Sequence, residues 1–173
     1  MEPINNLKEL LKEMLKSCYD SELLQLEAFP KLIDKAYSPE LKKAIQSSYE
    51  HSKRHLDKME EIFIRMKVSP VGEVCESTVG QLNETWRLME RIQEPGVQDA
   101  AIVTLVQHIH HHDIAGYGTM SAFANAVGYY ETSEALHQML EEEKEMDEEL
   151  TKMAIQKLNK RAKLEKEEEF SAM

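Results

Sequence analysis

Apolar side chains recur every third or fourth position along most of the chain, the spacing that puts them on one face of an α-helix. Four long stripes carry this period. The first reads Leu7, Leu11, Met14, Cys18, Glu22, Gln25, Phe29, Leu32, Ala36, and the second Leu41, Ile45, Ser48, Ser52, His55, Met59, Ile62, Met66. The third reads Ile102, Val106, Ile109, Asp113, Gly116, Met120, Phe123, Val127, and the fourth Leu136, Leu140, Glu143, Asp147, Leu150, Ala154. A shorter stripe between the second and third (Cys75, Val79, Leu82, Trp86, Met89) predicts a connecting helix that packs on the others.

Breakers set the boundaries. Ser38-Pro39 pairs a cap residue with proline at the first helical position, the run VSPVG at 68–72 is a loop, and Pro95-Gly96 is a further stop. Gly128 suits a left-handed helix end, and Thr132 is a candidate cap for the next helix. The pattern predicts helices over 3–36, 39–67, 73–93, 97–127 and 132–162, with Pro30 kinking the first. Four long helices and a long second-to-third crossover make an all-α, ferritin-like four-helix bundle with an additional connecting helix. Residues 1–162 form that domain, and the charged tail 163–173 is expected to fray.

Composition agrees with this pattern. Six Gly and five Pro in 173 residues leave too little turn chemistry for a many-stranded sheet. The net charge of −11 argues against a nucleic-acid partner, whose phosphates need Lys and Arg. The N-terminal stretch carries a charge every few residues and no window is apolar for long enough to span a bilayer, so no membrane association is expected. Cys18 and Cys75 are too few for a disulfide scaffold, which points to the cytoplasm with both thiols free.

The informative positions are those where the stripes turn polar. Glu22, His55 with neighbouring His51, Asp113, and Glu143 with Asp147 each lie near the middle of a predicted helix. In an antiparallel bundle, midpoints share one level, so these groups converge inside. Buried carboxylates repel unless protonated or neutralised, and a metal cation relieves the repulsion. Mixed carboxylate and imidazole donors suit iron, manganese or zinc, as one or two ions. His110, about 60° off the stripe, is a further candidate ligand.

Each position also has a plainer reading. Glu22 could be a surface residue at a kink, Glu143 part of the solvated run EEEKEMDEE, and His51, His55 and His110 hydrogen-bonded helix-interface histidines. A helix scatters the run HIHHHD at 108–113: His111 points to solvent, while His108 and His112 meet a neighbouring helix or a partner subunit. His137 and Glu141 form the HxxxE pair of hemerythrins but lie well off the fourth stripe. Cys18 and the stripe methionines read as core filler, and Tyr117 mainly as packing. No phosphate loop, nucleophile elbow or C-x-x-C pair is present, so no catalytic residue and no organic cofactor site is assigned.

The stretches CYDSE (18–22), SPELKKA (38–44), DAAIVTLVQHIHHHDIAGYGT (99–119) and LEEEKEMDEELT (140–151), with a Cys opening the connector, resemble the YciE/YciF ferritin-like stress proteins. The resemblance spans about 10–160 and implies a ferritin-like bundle, commonly a homodimer, related in fold to rubrerythrins and expressed under stress. It places the family's inward acids at Glu22, Glu143 and Asp147, with Asp113 where the family usually has Glu. His51 and His110 stand at places of usual Glu, His55 at a usual Gln, and Val79 at a frequent connector Glu. These exchanges lower the negative charge of the site and favour one metal, or a nitrogen-rich pair, over two oxidised irons.

The expected function is therefore metal binding at mid-bundle, iron foremost, by Glu22, His51, His55, His110, Asp113, Glu143 and Asp147, with Fe(II) oxidation or peroxide reduction as the chemistry that iron would bring. The alternative is a non-enzymatic helical dimer whose central polar groups satisfy one another without metal.

Overall fold

The computed structural model describes residues 3–72 and 74–163. It is all-helical: α1 (Leu7–Lys35), α2 (Pro39–Met66), α3 (Glu76–Met89), α4 (Pro95–Ala126) and α5 (Tyr130–Met153), the last running through a π-type turn (Ala154–Leu158) into helix up to residue 163. The expected frayed tail is thus helical at its first residue, and 164–173 lie outside the described residues.

Local chemistry explains the ends. α1 starts at Leu7, the first stripe residue and later than the expected boundary at 3, because Asn6 caps it, accepting a hydrogen bond from the Glu9 N–H at 3.0 Å, while Glu9 Oε2 accepts one from the Asn5 N–H at 2.7 Å. Ser38 and Pro39 open α2 as expected, and Lys67, with φ 55°, closes it in a left-handed turn. Gly128, at φ 84°, sits in the α4–α5 turn, but α5 begins at Tyr130, so Thr132 is buried within its first turn rather than capping it. α1 continues through Pro30 to Lys35.

Helices joined by short turns pack antiparallel, and the side-chain pairs show it. Along α1–α2 the contacts run Tyr19–Glu60, Glu22–His55, Gln25–Ser52, and along α4–α5 Gln107–Asp147, His110–Glu143, Ser121–Ser133. α2 and α5, joined by no turn, also oppose each other, from Glu40–Lys157 through His55–Glu142 to Arg65–Glu131. These four helices are the bundle, and α3 packs on α4 and α1 as the crossover helix. Its buried residues are Thr78, Leu82, Thr85 and Met89. The predicted face is therefore turned slightly, with the threonines inward and Val79 and Trp86 half-buried.

The core has two apolar parts. One gathers Phe29, Leu32, Leu41, Ile45, Ile102, Val106, Ile109 and Leu150, and the other Leu11, Leu15, Met59, Ile62, Met120, Leu136 and Met139. Buried polar residues separate them.

Candidate metal centre

The antiparallel registers carry Glu22, His55 and Glu143, each near the middle of its own helix, and Tyr117 of α4 to one level. All four are buried. His55 Nδ1 lies 3.3 Å from Glu22 Oε1 and 3.3 Å from Glu143 Oε1, so one ring nitrogen faces two carboxylates from different helices. One donor atom from each of Glu22, His55 and Glu143 lies within 4.8 Å of the others. The Tyr117 hydroxyl donates to Glu22 Oε1. Glu22 Oε2 is buried without a hydrogen-bond partner, one of two such side-chain atoms among the described residues, with Gln81 Oε1.

The other side of His55 is fixed by a residue that the stripes do not single out. Glu142 Oε2 sits 3.0 Å from His55 Nε2 and 3.2 Å from His51 Nδ1, and its Oε1 accepts from Lys58 Nζ at 3.1 Å. His51, His55 and Glu142 form a second, half-exposed group that shares His55 with the first. His110 Nδ1 is 2.5 Å from Glu143 Oε2, and its Nε2 is 3.2 Å from Ser48 Oγ. His110 therefore holds the far oxygen of Glu143.

The remaining candidates go elsewhere. Asp113 is fully buried but accepts from Gln25 Nε2 at 2.7 Å and meets His112 Nδ1 at 3.1 Å. Gln25 Nε2 also reaches Ser21 Oγ (3.3 Å), Ser21 Oγ lies 2.7 Å from Thr78 Oγ1, Thr78 Oγ1 lies 3.2 Å from Cys75 Sγ, and Cys75 Sγ lies 3.8 Å from His112 Nε2. Asp113 thus belongs to a closed polar ring on the α3 side. Asp147 is half-buried at the α4–α5 edge, accepting from Gln107 at 3.2 Å with His111 Nε2 at 3.4 Å. The fourth stripe turns outward there, because an ideal helix advances about 40° beyond a full turn over four residues. His111 and His137 are exposed, and His112 meets α3.

Charge at the centre is finely balanced. Burial disfavours the His55 cation, but Glu22, Glu143 and Glu142 outweigh it and hold its pKa up at about 9. Burial pushes the Glu143 carboxyl well above the ordinary range, with Asp113 and Glu22 adding repulsion. Glu142 is opposed by burial yet brought down to about 2 by hydrogen bonds from His55 and Lys58. Burial lowers His110, leaving it a neutral ring. Burial and nearby acids keep the Tyr117 phenol protonated, as its role as donor requires.

Comparison with known proteins places these features. The family model described as Domain of unknown function (DUF892) matches residues 6–163. Protein YciF of Escherichia coli (strain K12) is 26% identical over 162 residues, 92% of this chain and 96% of the relative. The crystal structure of the E. coli stress protein YciF superposes with a TM-score of 0.86 at 25% identity, over 91% of this chain and 99% of that one. YcfI of Rhodopseudomonas palustris gives a TM-score of 0.84 at 29% identity, over 87% of this chain and 96% of that one.

Proposed function

The chain belongs to the DUF892 family, and from that premise we propose that it binds one transition-metal ion, iron foremost, between Glu22, His55 and Glu143. The observation that carries this reading is the Glu22 carboxylate: one of its oxygens converges with donor atoms of His55 and Glu143, and its Oε2 is buried with no partner. Leaving such an atom unpaired is costly, and a cation satisfies it.

The donor set fits. Two carboxylates and one imidazole suit iron, manganese or zinc. Metal-ligating histidines usually give their second ring N–H to a carboxylate, and Glu142 stands at His55 Nε2 for that purpose. His110 holds the far oxygen of Glu143, and Tyr117 holds the Glu22 oxygen that faces His55. Iron held by three protein donors keeps open coordination positions, where it supplies electron exchange with dioxygen or peroxide. The E. coli relative is called a stress protein, and we place this chain in the same setting, with redox-metal binding as its own contribution.

A metal-free reading has its own support. His55 at a pKa of about 9 is itself a cation among Glu22, Glu142 and Glu143, and all but one of the side-chain atoms at this level have partners. The two readings separate cleanly. Untagged protein is incubated anaerobically with Fe(II), Mn(II) or Zn(II), desalted, and its metal content measured for the wild type, Glu22→Gln and Glu143→Gln. One ion per chain, lost in both variants, is expected. No uptake at all establishes the metal-free network, and metal retained in both variants puts the site elsewhere.

A further inference from the structure

Cys75 opens α3, linked through His112 to Asp113, and its surroundings differ in kind from the carboxylate centre. His112 Nε2 lies 3.8 Å from its Sγ and 3.1 Å from Ser77 Oγ, while His112 Nδ1 lies 3.1 Å from Asp113 Oδ1. Sulfur, imidazole and carboxylate in series is the arrangement that activates a nucleophile: the ring faces the sulfur, and the carboxylate fixes the ring's orientation and stabilises its charge. Asp113 is itself held by Gln25.

The sulfur is prepared for negative charge. Ser77 Oγ and Thr78 Oγ1 each lie 3.2 Å from Sγ, and Cys75 precedes the first turn of a fourteen-residue helix, whose free N–H groups favour an anion. The Cys75 N–H donates to Asp20 Oδ2 at 2.8 Å, which ties the residue to α1. Burial opposes ionisation, but hydrogen bonds from His112, Ser77 and Thr78 bring the Cys75 thiol down to about 5. His112, bonded to Asp113 and Cys75, stands at about 10. The charged groups facing this pair are Asp20 from α1 and Asp113 from α4. Cys18 of α1, buried next to Asp113 and Glu22, is pushed well above the ordinary thiol range and is a neutral neighbour.

Access is narrow. Cys75 is 2% exposed, and its rim is the exposed Ser77 and the half-buried His112 ring.

We propose that Cys75, with His112 and Asp113, is a peroxide-reactive site that works without metal. The sulfur attacks the outer oxygen of a hydroperoxide. An S–O bond forms, the O–O bond breaks, and the departing oxygen keeps that electron pair and takes the Nε2 proton of His112 to leave as water or an alcohol. Cys75 is oxidised by two electrons to the sulfenic acid, and the peroxide is reduced by the same two. His112 remains as a neutral ring oriented by Asp113, a proton donor and positioning residue for the sulfur.

The test treats the full chain with chelator, so that metal chemistry is silent, then adds hydrogen peroxide at pH 7, quenches timed samples into denaturant containing dimedone so that every sulfenic acid is reached, and locates the adduct by peptide mass spectrometry. Labelling is expected at Cys75 and not at Cys18, at a rate at least about tenfold above that of N-acetylcysteine. His112→Gln is expected to slow it by about tenfold or more with an unchanged circular dichroism spectrum, and Cys75→Ser to abolish it. Labelling of Cys75 no faster than N-acetylcysteine overturns the proposal, as does an undiminished rate in folded His112→Gln. Should that variant not fold, the wild-type rate against N-acetylcysteine decides alone.

Discussion

The hydroxyl of Tyr117 on α4 donates to Glu22 Oε1 on α1, leaving the second oxygen of that buried carboxylate turned into the core without a partner. The pair links two helices across the bundle and divides the work of the carboxylate: one oxygen fixes its position, the other is free to accept. Tyr117→Phe removes a buried hydrogen bond to a carboxylate and is expected to lower stability by about 1–3 kcal/mol. Because the phenol is no ligand, bound metal per chain should stay the same. Urea unfolding and metal analysis of the same preparation check both halves.

The electrostatics of His55 give a signed pH dependence. Its folded pKa of about 9 lies above its ordinary value of 6.5, so the stability it contributes is whole below pH 6.5 and is lost as pH rises through 9. The metal-free His55→Gln variant should therefore trail the wild type most at pH 6, with the gap narrowing by about 2–3 kcal/mol by pH 9.5. Glu143, raised in the same direction, adds to the loss above the ordinary carboxylate range, whereas His110, lowered by burial, acts below pH 6.5. Cys75 and His112 shift in opposite directions, and their windows are common to wild type and variant. Denaturant melts at the two pH values, read as a difference of differences, isolate His55.

Metal should stabilise the folded chain by mass action. At a hundredfold excess over the dissociation constant the gain is about 2.7 kcal/mol, or about 5–10 °C in Tm for a chain of this size. The gain should vanish with chelator and be absent in Glu143→Gln. Since His55 must lose its Nδ1 proton and Glu143 its own, uptake should release protons in weakly buffered solution. A Tm indifferent to Fe(II), Mn(II) and Zn(II) would contradict the proposed centre.

A structural acid, Asp99, offers a control remote from that centre. Its Oδ1 accepts from the Tyr37 N–H at 2.7 Å and its Oδ2 from the Ser38 N–H at 2.8 Å, so α4 clasps the α1–α2 turn. Asp99→Ala strands two backbone donors and should cost about 1–3 kcal/mol in urea unfolding, with metal content and Cys75 reactivity intact.

Hydropathy period alone displays the five helices, and it marks Glu22, His55 and Glu143 because each interrupts a mainly apolar stripe most of whose members are buried. It is silent on what depends on rotation and reach between helices. Glu142 lies one residue off the stripe inside a run of charges, yet its side chain extends to two histidines of α2. Asp113 has faultless register, but which neighbour it meets is decided by where α1 places Gln25, a detail no period encodes. Tyr117 reads as packing because a phenol on a stripe is usually that, and its carboxylate partner is ninety-five positions away in the chain. Cys75 and His112 come from different helices, and only the docking of α3 on α4 brings them together.

The polar layer that parts the two apolar clusters has a consequence for how the molecule comes undone. Each lobe contains segments of all four bundle helices, and the lobes are coupled at this waist chiefly through directional bonds among Glu22, His55, Tyr117, His110 and Glu143. Such a molecule opens in two steps when the waist is weakened and in one when it is firm. Amide exchange would then report separate protection classes for the two halves of a single helix. The continuity of α1, α2, α4 and α5 as cooperative units is thus set by their middles rather than by their ends.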